Sequence, residues 1–287
     1  MKGGCVSNIL ATQALQIAGM GYKVDLIIVS FVDEEAGENG ILACIIRGYT
    51  GNACNFTEPS GLAHAAISSR GAQYFRITVP GLKGGTEYMY ELVNPINKAM
   101  EVFKAVEACS IMRESGVSHP LYDSFYFTKI PLGICKIQAG EWPPTVASQC
   151  VMEGTIECLP GKDIHEVKED FKKYLLGWAV KNAWLKDHIL TVEWFELWFE
   201  AAEISPDPLY VETISGVVNK ITGADLLVAG GGGCDLRLPV LYGNTSAIQF
   251  VPACGMIHST DEYVEFEQVI TCAKILALTA TRWCGVA

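Results

Sequence analysis

The sequence is short of charge, and what charge it has is of the wrong sign for binding a polyanion. Of 287 residues only 18% are charged, the net charge is -11 and the pI is near 5.0. There is no basic block and no excess of Lys or Arg to release counterions, which excludes nucleic acid and an anionic membrane surface as partners. The Met-Lys-Gly-Gly-Cys start has no apolar signal region, and no uninterrupted apolar run reaches about 18 residues, so no membrane span is expected. The eleven cysteines form no Cys-x-x-Cys pair, and their number is odd. They are expected to be reduced, small core residues of a cytoplasmic protein and not a disulfide framework. What the sequence has in plenty is apolar surface. Half the residues are hydrophobic and mean hydropathy is +0.24, enough for a large core and a subunit interface.

The patterning changes along the chain. Residues 5–18 read as a helix, Val24–Val32 (VDLIIVSFV) as a strand buried on both faces, and Asn39–Tyr49 as a second helix. This is α/β grammar. Gln73–Val79 then alternates, with Phe75, Ile77 and Val79 on one face. Asn94-Pro95 offers an N-cap with Pro at the first helical position, and Ile96, Met100, Phe103 and Val106 follow at helical spacing. Strands are expected at Leu132–Gln138 and Cys150–Cys158, a helix from Asp163 with Phe171, Leu175 and Trp178 inward, and a strand at Ile189–Phe199. That order, β-α-β-β-α-β, is the ferredoxin-like arrangement. After about residue 205 the α/β pattern resumes: a helix at Pro208–Thr222, a strand at Leu226–Ala229, a loop at Gly230–Gly233, a strand at Ser246–Pro252 and a helix at Val264–Trp283. The expected organisation is a host domain (1–72 and 200–287) carrying an inserted lid (73–199).

Asp33-Glu34-Glu35 closes the apolar run at Val24–Val32, where open α/β sheets place ligands. Three adjacent carboxylates repel one another, so they either face solvent or neutralise cations. Glu58 and His258 stand alone in their stretches, and a lone His is most often a hydrogen-bonded structural group. The four-glycine run at 230–233 is followed by no Gly-Lys-Ser/Thr, which argues against a phosphate loop.

Taken in order, the motifs are far more specific. They are Met1-Lys2-Gly3-Gly4, Asp33-Glu34-Glu35-Ala36-Gly37, Glu58-Pro59-Ser60-Gly61, Arg70-Gly71, Gly140-Glu141-Trp142-Pro143, Gly232-Gly233-Cys234-Asp235-Leu236-Arg237, and His258 with Asp261-Glu262-Tyr263. The set resembles the dinuclear metal-dependent amidohydrolases that include acetylornithine deacetylase, succinyl-diaminopimelate desuccinylase and related carboxypeptidases. The resemblance implies an α/β, three-layer metallopeptidase-type host with a mixed sheet, and a ferredoxin-like α+β lid that dimerises. It also implies a cytoplasmic amino-acid biosynthetic hydrolase that deacylates a small N-acyl amino acid, with two zinc (or cobalt) ions per subunit. By resemblance Glu34 is the general base, Glu35 and His258 are ligands of one ion, and Glu58 is a ligand of the other. Arg237 is a candidate for a substrate carboxylate, although a salt bridge to Asp235 or another acid is equally open. Asn94 is a second substrate-binding candidate.

The chain also departs from the family's pattern. The family opens upstream, with a His-x-Asp motif and a bridging aspartate directly before the Met-Lys-Gly-Gly. The chain as written is therefore expected to lack strands of the host sheet, to hold its metals with reduced or no occupancy, and to turn over poorly. Lys83 stands nearest the place of the family's lid histidine. Two other readings stay open: a non-catalytic paralogue or fragment that keeps the dimerising lid, and a dipeptidase or carboxypeptidase of the same family.

Overall fold

The computed structural model describes residues 1–35, 37–205 and 209–286, with the side chain of Leu197 also outside the description. The described residues fall into two compact units, Met1–Ser69 with Ala202–Ala287, and Arg70–Ala201. The second unit thus opens at Arg70 and closes at Ala201, slightly wider than the expected 73–199.

In chain order the first unit opens with helices α1 (Lys2–Ile17) and α2 (Asn39–Ile46) and strands β1 (Ala53–Phe56) and β2 (His64–Ser69). The second unit holds β3 (Gly71–Pro80), α3 (Pro95–Glu114), β4 (Leu132–Ala139), β5 (Gln149–Cys158), α4 (Ile164–Ala179) and β6 (Thr191–Phe199). The first unit resumes with β7 (Ala202–Glu203), α5 (Leu209–Thr222), β8 (Leu227–Gly231), α6 (Arg237–Leu241), β9 (Ser246–Gln249) and α7 (Phe266–Cys284). Pro208, the expected start of the α5 helix, lies outside the described residues.

The second unit follows the alternation in its sequence. Its sheet runs β4-β5-β3-β6, antiparallel throughout. Period-two patterning sends Phe75, Ile77 and Val79 to one face, where Met152 and Val192 flank Ile77 across the register. Helices α3 and α4 cover that face and share its core cluster. Phe171 of α4 sets its ring 4.9 Å from Phe75. Burying each such side chain contributes about 2 kcal/mol. Asn94 accepts a hydrogen bond from Ile96 N–H at 2.9 Å, and Asp163 caps α4 by accepting from His165 N–H at 2.8 Å. The inner face of α3 differs from the expectation. Ala99, Val102, Val106 and Cys109 are buried, whereas Ile96 and Met100 are exposed. Small residues let the helix lie close to the sheet, and that outweighs hydrophobicity alone. Arg70 opens the unit in a buried setting: its Nε lies 2.8 Å from Glu157 Oε2, and its guanidinium lies over the Tyr126 ring at 4.6 Å.

The first unit is a mixed five-stranded sheet ordered β1-β9-β2-β8, with β7 also paired to β2. The β1–β9 and β2–β8 pairs are parallel, and β9 meets β2 antiparallel at Gln249↔Ala66. Helix α7 packs on α1 and α5. Elsewhere in the unit Ile41 of α2 clusters with Phe56, Leu236, Leu238 and Ala247. Two expectations fail here. Val24–Val32 forms no strand: it is irregular, with Val24, Ile27, Ile28 and Val32 exposed. An apolar run states what a segment would bury, but only a ladder partner makes it a strand, and none lies beside it among the described residues. Phe31 is partly buried, its ring 6.3 Å from that of Phe56. The glycine run is not wholly a loop either, since Gly230 and Gly231 complete β8. A Cβ at Gly231 would lie 3.0 Å from the Ser68 carbonyl, a tight approach that glycine avoids.

Candidate active site

Glu34 and Glu35 lie in a tight loop between the irregular segment and α2. Glu38 N–H donates to the Asp33 carbonyl at 2.7 Å, and the Asn39 amide donates to the Asp33 carboxylate at 2.8 Å, so the loop closes on itself. Ala36, the residue after Glu35, lies outside the described residues. Glu34 is half-buried. Burial raises its pKa from the ordinary carboxylate value, Glu35 raises it further, and His258 offsets part of the effect. His258 Nε2 lies 3.3 Å from Glu35 Oε1, with both side chains exposed. These two expected partners are therefore brought together across more than two hundred residues of chain.

Glu58 follows β1 and is half-buried. Desolvation, with Glu34 next, pushes its pKa up to about 7. Asp235, after β8, has no exposed surface, and among the described residues neither of its carboxylate oxygens meets a hydrogen-bond donor. Desolvation, then Glu38, Glu34 and Glu58, push its pKa up to about 8, while Arg237 pulls the other way. One side chain ties these two loops together. The Gln249 amide donates to the Pro59 carbonyl at 2.8 Å, and its Oε1 accepts from Cys234 Sγ at 3.7 Å. Ser69 Oγ completes the anchor by accepting from Cys234 N–H at 3.2 Å and donating to the Gly232 carbonyl at 3.1 Å.

The two substrate-binding candidates each have a partner within the chain. Arg237 Nη2 lies 2.6 Å from Glu38 Oε2, and both side chains are buried. Glu38 is thus an acid partner of Arg237, and the Arg237 charge also acts on Asp235. Asn94 Oδ1 serves the N-cap of α3. Lys83 is exposed, with Nζ 3.8 Å from Glu141 Oε2. Glu38 and Gln249 are the residues that sequence reasoning missed. Glu38 is one more acid in an acidic stretch, and Gln249 ends a short strand, so neither carries a motif.

The donor types present, carboxylate and imidazole, are those a zinc ion takes. The geometry does not complete a site: among the described residues no three His, Cys, Asp or Glu side chains gather as metal ligands. Glu34, Glu58 and Asp235 instead meet burial and mutual repulsion by raised pKa values.

The sequence profile described as Peptidase family M20/M25/M40 matches residues 1–282. The chain belongs to this family. The M20 fold is also the one its structural neighbours share, and the M20 chain is accordingly a hydrolase with an α/β host and an inserted α+β unit. A curated relative, N-formyl-4-amino-5-aminomethyl-2-methylpyrimidine deformylase of Halalkalibacterium halodurans, is 22% identical over 314 residues, which cover 99% of this chain and 70% of the relative. The M20 family metallo-carboxypeptidase Sso-CP2 of Sulfolobus solfataricus superposes with a TM-score of 0.70 at 14% identity, over 97% of this chain and 74% of that one. The YXEP protein of Bacillus subtilis, described as a dinuclear metal binding peptidase from the M20 family, gives 0.61 at 14% identity, over 98% and 71%. Among the described residues no helix is long and apolar enough to cross a membrane.

Proposed function

We propose that this M20 chain hydrolyses a linear amide, removing the acyl group of an N-acylated amino acid, with Glu34 as general base. The observation that carries the reading is Glu34 itself. It is half-buried beside the Glu35–His258 pair, and its proton affinity is raised. A carboxylate so placed takes a proton from an attacking water at a pH nearer neutrality, and returns it to the departing nitrogen. Glu35, His258 and Glu58 are the zinc or cobalt ligands of the proposal. The proposal includes zinc occupancy below two ions per chain and slow turnover, since Glu35 with His258 gives one ion two protein ligands and Glu58 gives the other one. The proposal also includes a cytoplasmic homodimer formed through the inserted unit, whose sheet has β4 and β6 as its outer strands.

The relative named as a deformylase acts on an N-formyl amine, which supports a second reading in which the acyl group is a formyl. The peptidase names among the structural neighbours support a third, a dipeptide. One panel decides among them. The purified chain, with added zinc or cobalt, is offered N-acetyl and N-succinyl amino acids, N-formyl amines and dipeptides, and free amine is measured. The expected result is release from the N-acyl amino acids, reduced about a hundredfold or more in Glu34→Gln. A rate unchanged in Glu34→Gln would remove Glu34 from the mechanism. A folded chain inert on every arm would favour the non-catalytic reading.

A further inference from the structure

The Glu38–Arg237 pair joins residues nearly two hundred positions apart, and its geometry is unusually committed. The Nη2–Oε2 separation is 2.6 Å, and the side chains are 2% and 8% exposed. A bidentate substrate contact needs a guanidinium fork facing open space. Here the fork is buried against a carboxylate of the protein itself, so a substrate carboxylate would have to displace Glu38.

What the pair does hold is the reactive loop. Glu38 closes that loop, being the residue whose N–H returns to the Asp33 carbonyl. Both loop ends sit in the left-handed region, Asp33 at φ 77° and Glu38 at φ 57°. Non-glycine residues rest there only when the surroundings over-determine them. On the far side the backbone is equally fixed: a Cβ at Gly40 would collide with the Val32 carbonyl. Arg237 itself opens α6, between the buried Leu236 and Leu238, which cluster with Ile41 of α2. The pair therefore links the loop carrying Glu34 and Glu35 to a rigid part of the same unit.

We propose that Glu38 and Arg237 are positioning residues: their buried ion pair fixes the Glu34–Glu35 loop, and Arg237 does not bind substrate. This rests on the reading of Glu34 and Glu35 as the reactive carboxylates, but its test measures loop order and not activity, so the two can fail separately. Amide hydrogen exchange is followed by mass spectrometry in the full chain without added metal. Peptides covering 33–40 are compared with those covering β2, β8 and β9. Glu38→Gln keeps the shape and removes the charge, and exchange at 33–40 is expected to rise about tenfold or more, with the strands changed less than about twofold. Glu38→Asp keeps the charge and should recover protection to within about threefold of the parent, a rescue that packing alone would not give. Should Glu38→Gln fail to fold, Arg237→Lys keeps the charge, loses the fork, and is expected to loosen the same peptides. Unchanged exchange at 33–40 would overturn the proposal. So would an equal rise in the strands, because the pair would then support the whole unit and not the loop.

Discussion

Replacing Asp235 by Asn should change how the stability of the first unit depends on pH. Asp235 has no exposed surface, and its acid pKa rises from 3.8 to about 8. A raised acid binds a proton in the native chain over a range where the unfolded chain has lost it. The native state therefore holds more protons, and stability falls as pH rises through that window. Its full contribution is present below about pH 3.8 and is lost by about pH 8. At 1.36 kcal/mol per pKa unit, the shift is worth on the order of 5–6 kcal/mol. Asparagine has similar shape and no charge to desolvate, so the variant should lack this term. Urea unfolding in the presence of a chelator, repeated from pH 4.5 to 9, measures it. Near pH 4.5 the two chains should agree to within about 1–2 kcal/mol, the variant being the weaker because its amide too has no partner. With rising pH the difference should change by up to about 1.4 kcal/mol per unit and reverse sign, leaving Asp235→Asn more stable at pH 9. Parallel curves, or a variant still weaker at pH 9, would refute the reasoning.

Other outcomes follow from packing and caps. Gly154→Ala should destabilise the second unit by more than about 2 kcal/mol in urea, because the added Cβ would meet the Gly133 carbonyl in the neighbouring strand and lie 2.8 Å from Phe75 Cζ. Asn94→Ala removes the α3 cap, and a loss of about 1 kcal/mol is expected, with no change in KM if the residue serves only the helix. Sedimentation at micromolar concentration should show a two-fold dimer, and a monomer there would remove that part of the proposal.

The inserted unit was legible because its sequence obeys simple periods. Phe75, Ile77 and Val79 alternate into the core as their spacing dictates, and Asn94 and Asp163 cap the helices they precede. The failure inside α3 has a physical basis: Ile96 and Met100 have the right period but lie outside the stripe of small residues facing the sheet. Val24–Val32 failed for a different reason, since composition records a wish for burial and not the existence of a neighbour. In the candidate site, Glu34, Glu35, Glu58 and His258 stood out as a set. The side chains that hold the loops, Glu38 and Gln249, did not, because their roles depend on partners far along the chain.

The way the first unit is assembled from both ends of the chain sets the order in which the protein can be made. Strand β1 finds its parallel partner only in Ser246–Gln249, and β2 finds its own in Leu227–Gly231. Arg70–Ala201 has its sheet and both helices contiguous, so it can condense as soon as it leaves the ribosome. The first 69 residues must wait, with β1 and β2 unpaired, for the synthesis of more than 150 further residues. At about 5–20 residues per second that wait lasts on the order of ten seconds or more, which makes the opening segment the point where a nascent chain most needs a chaperone.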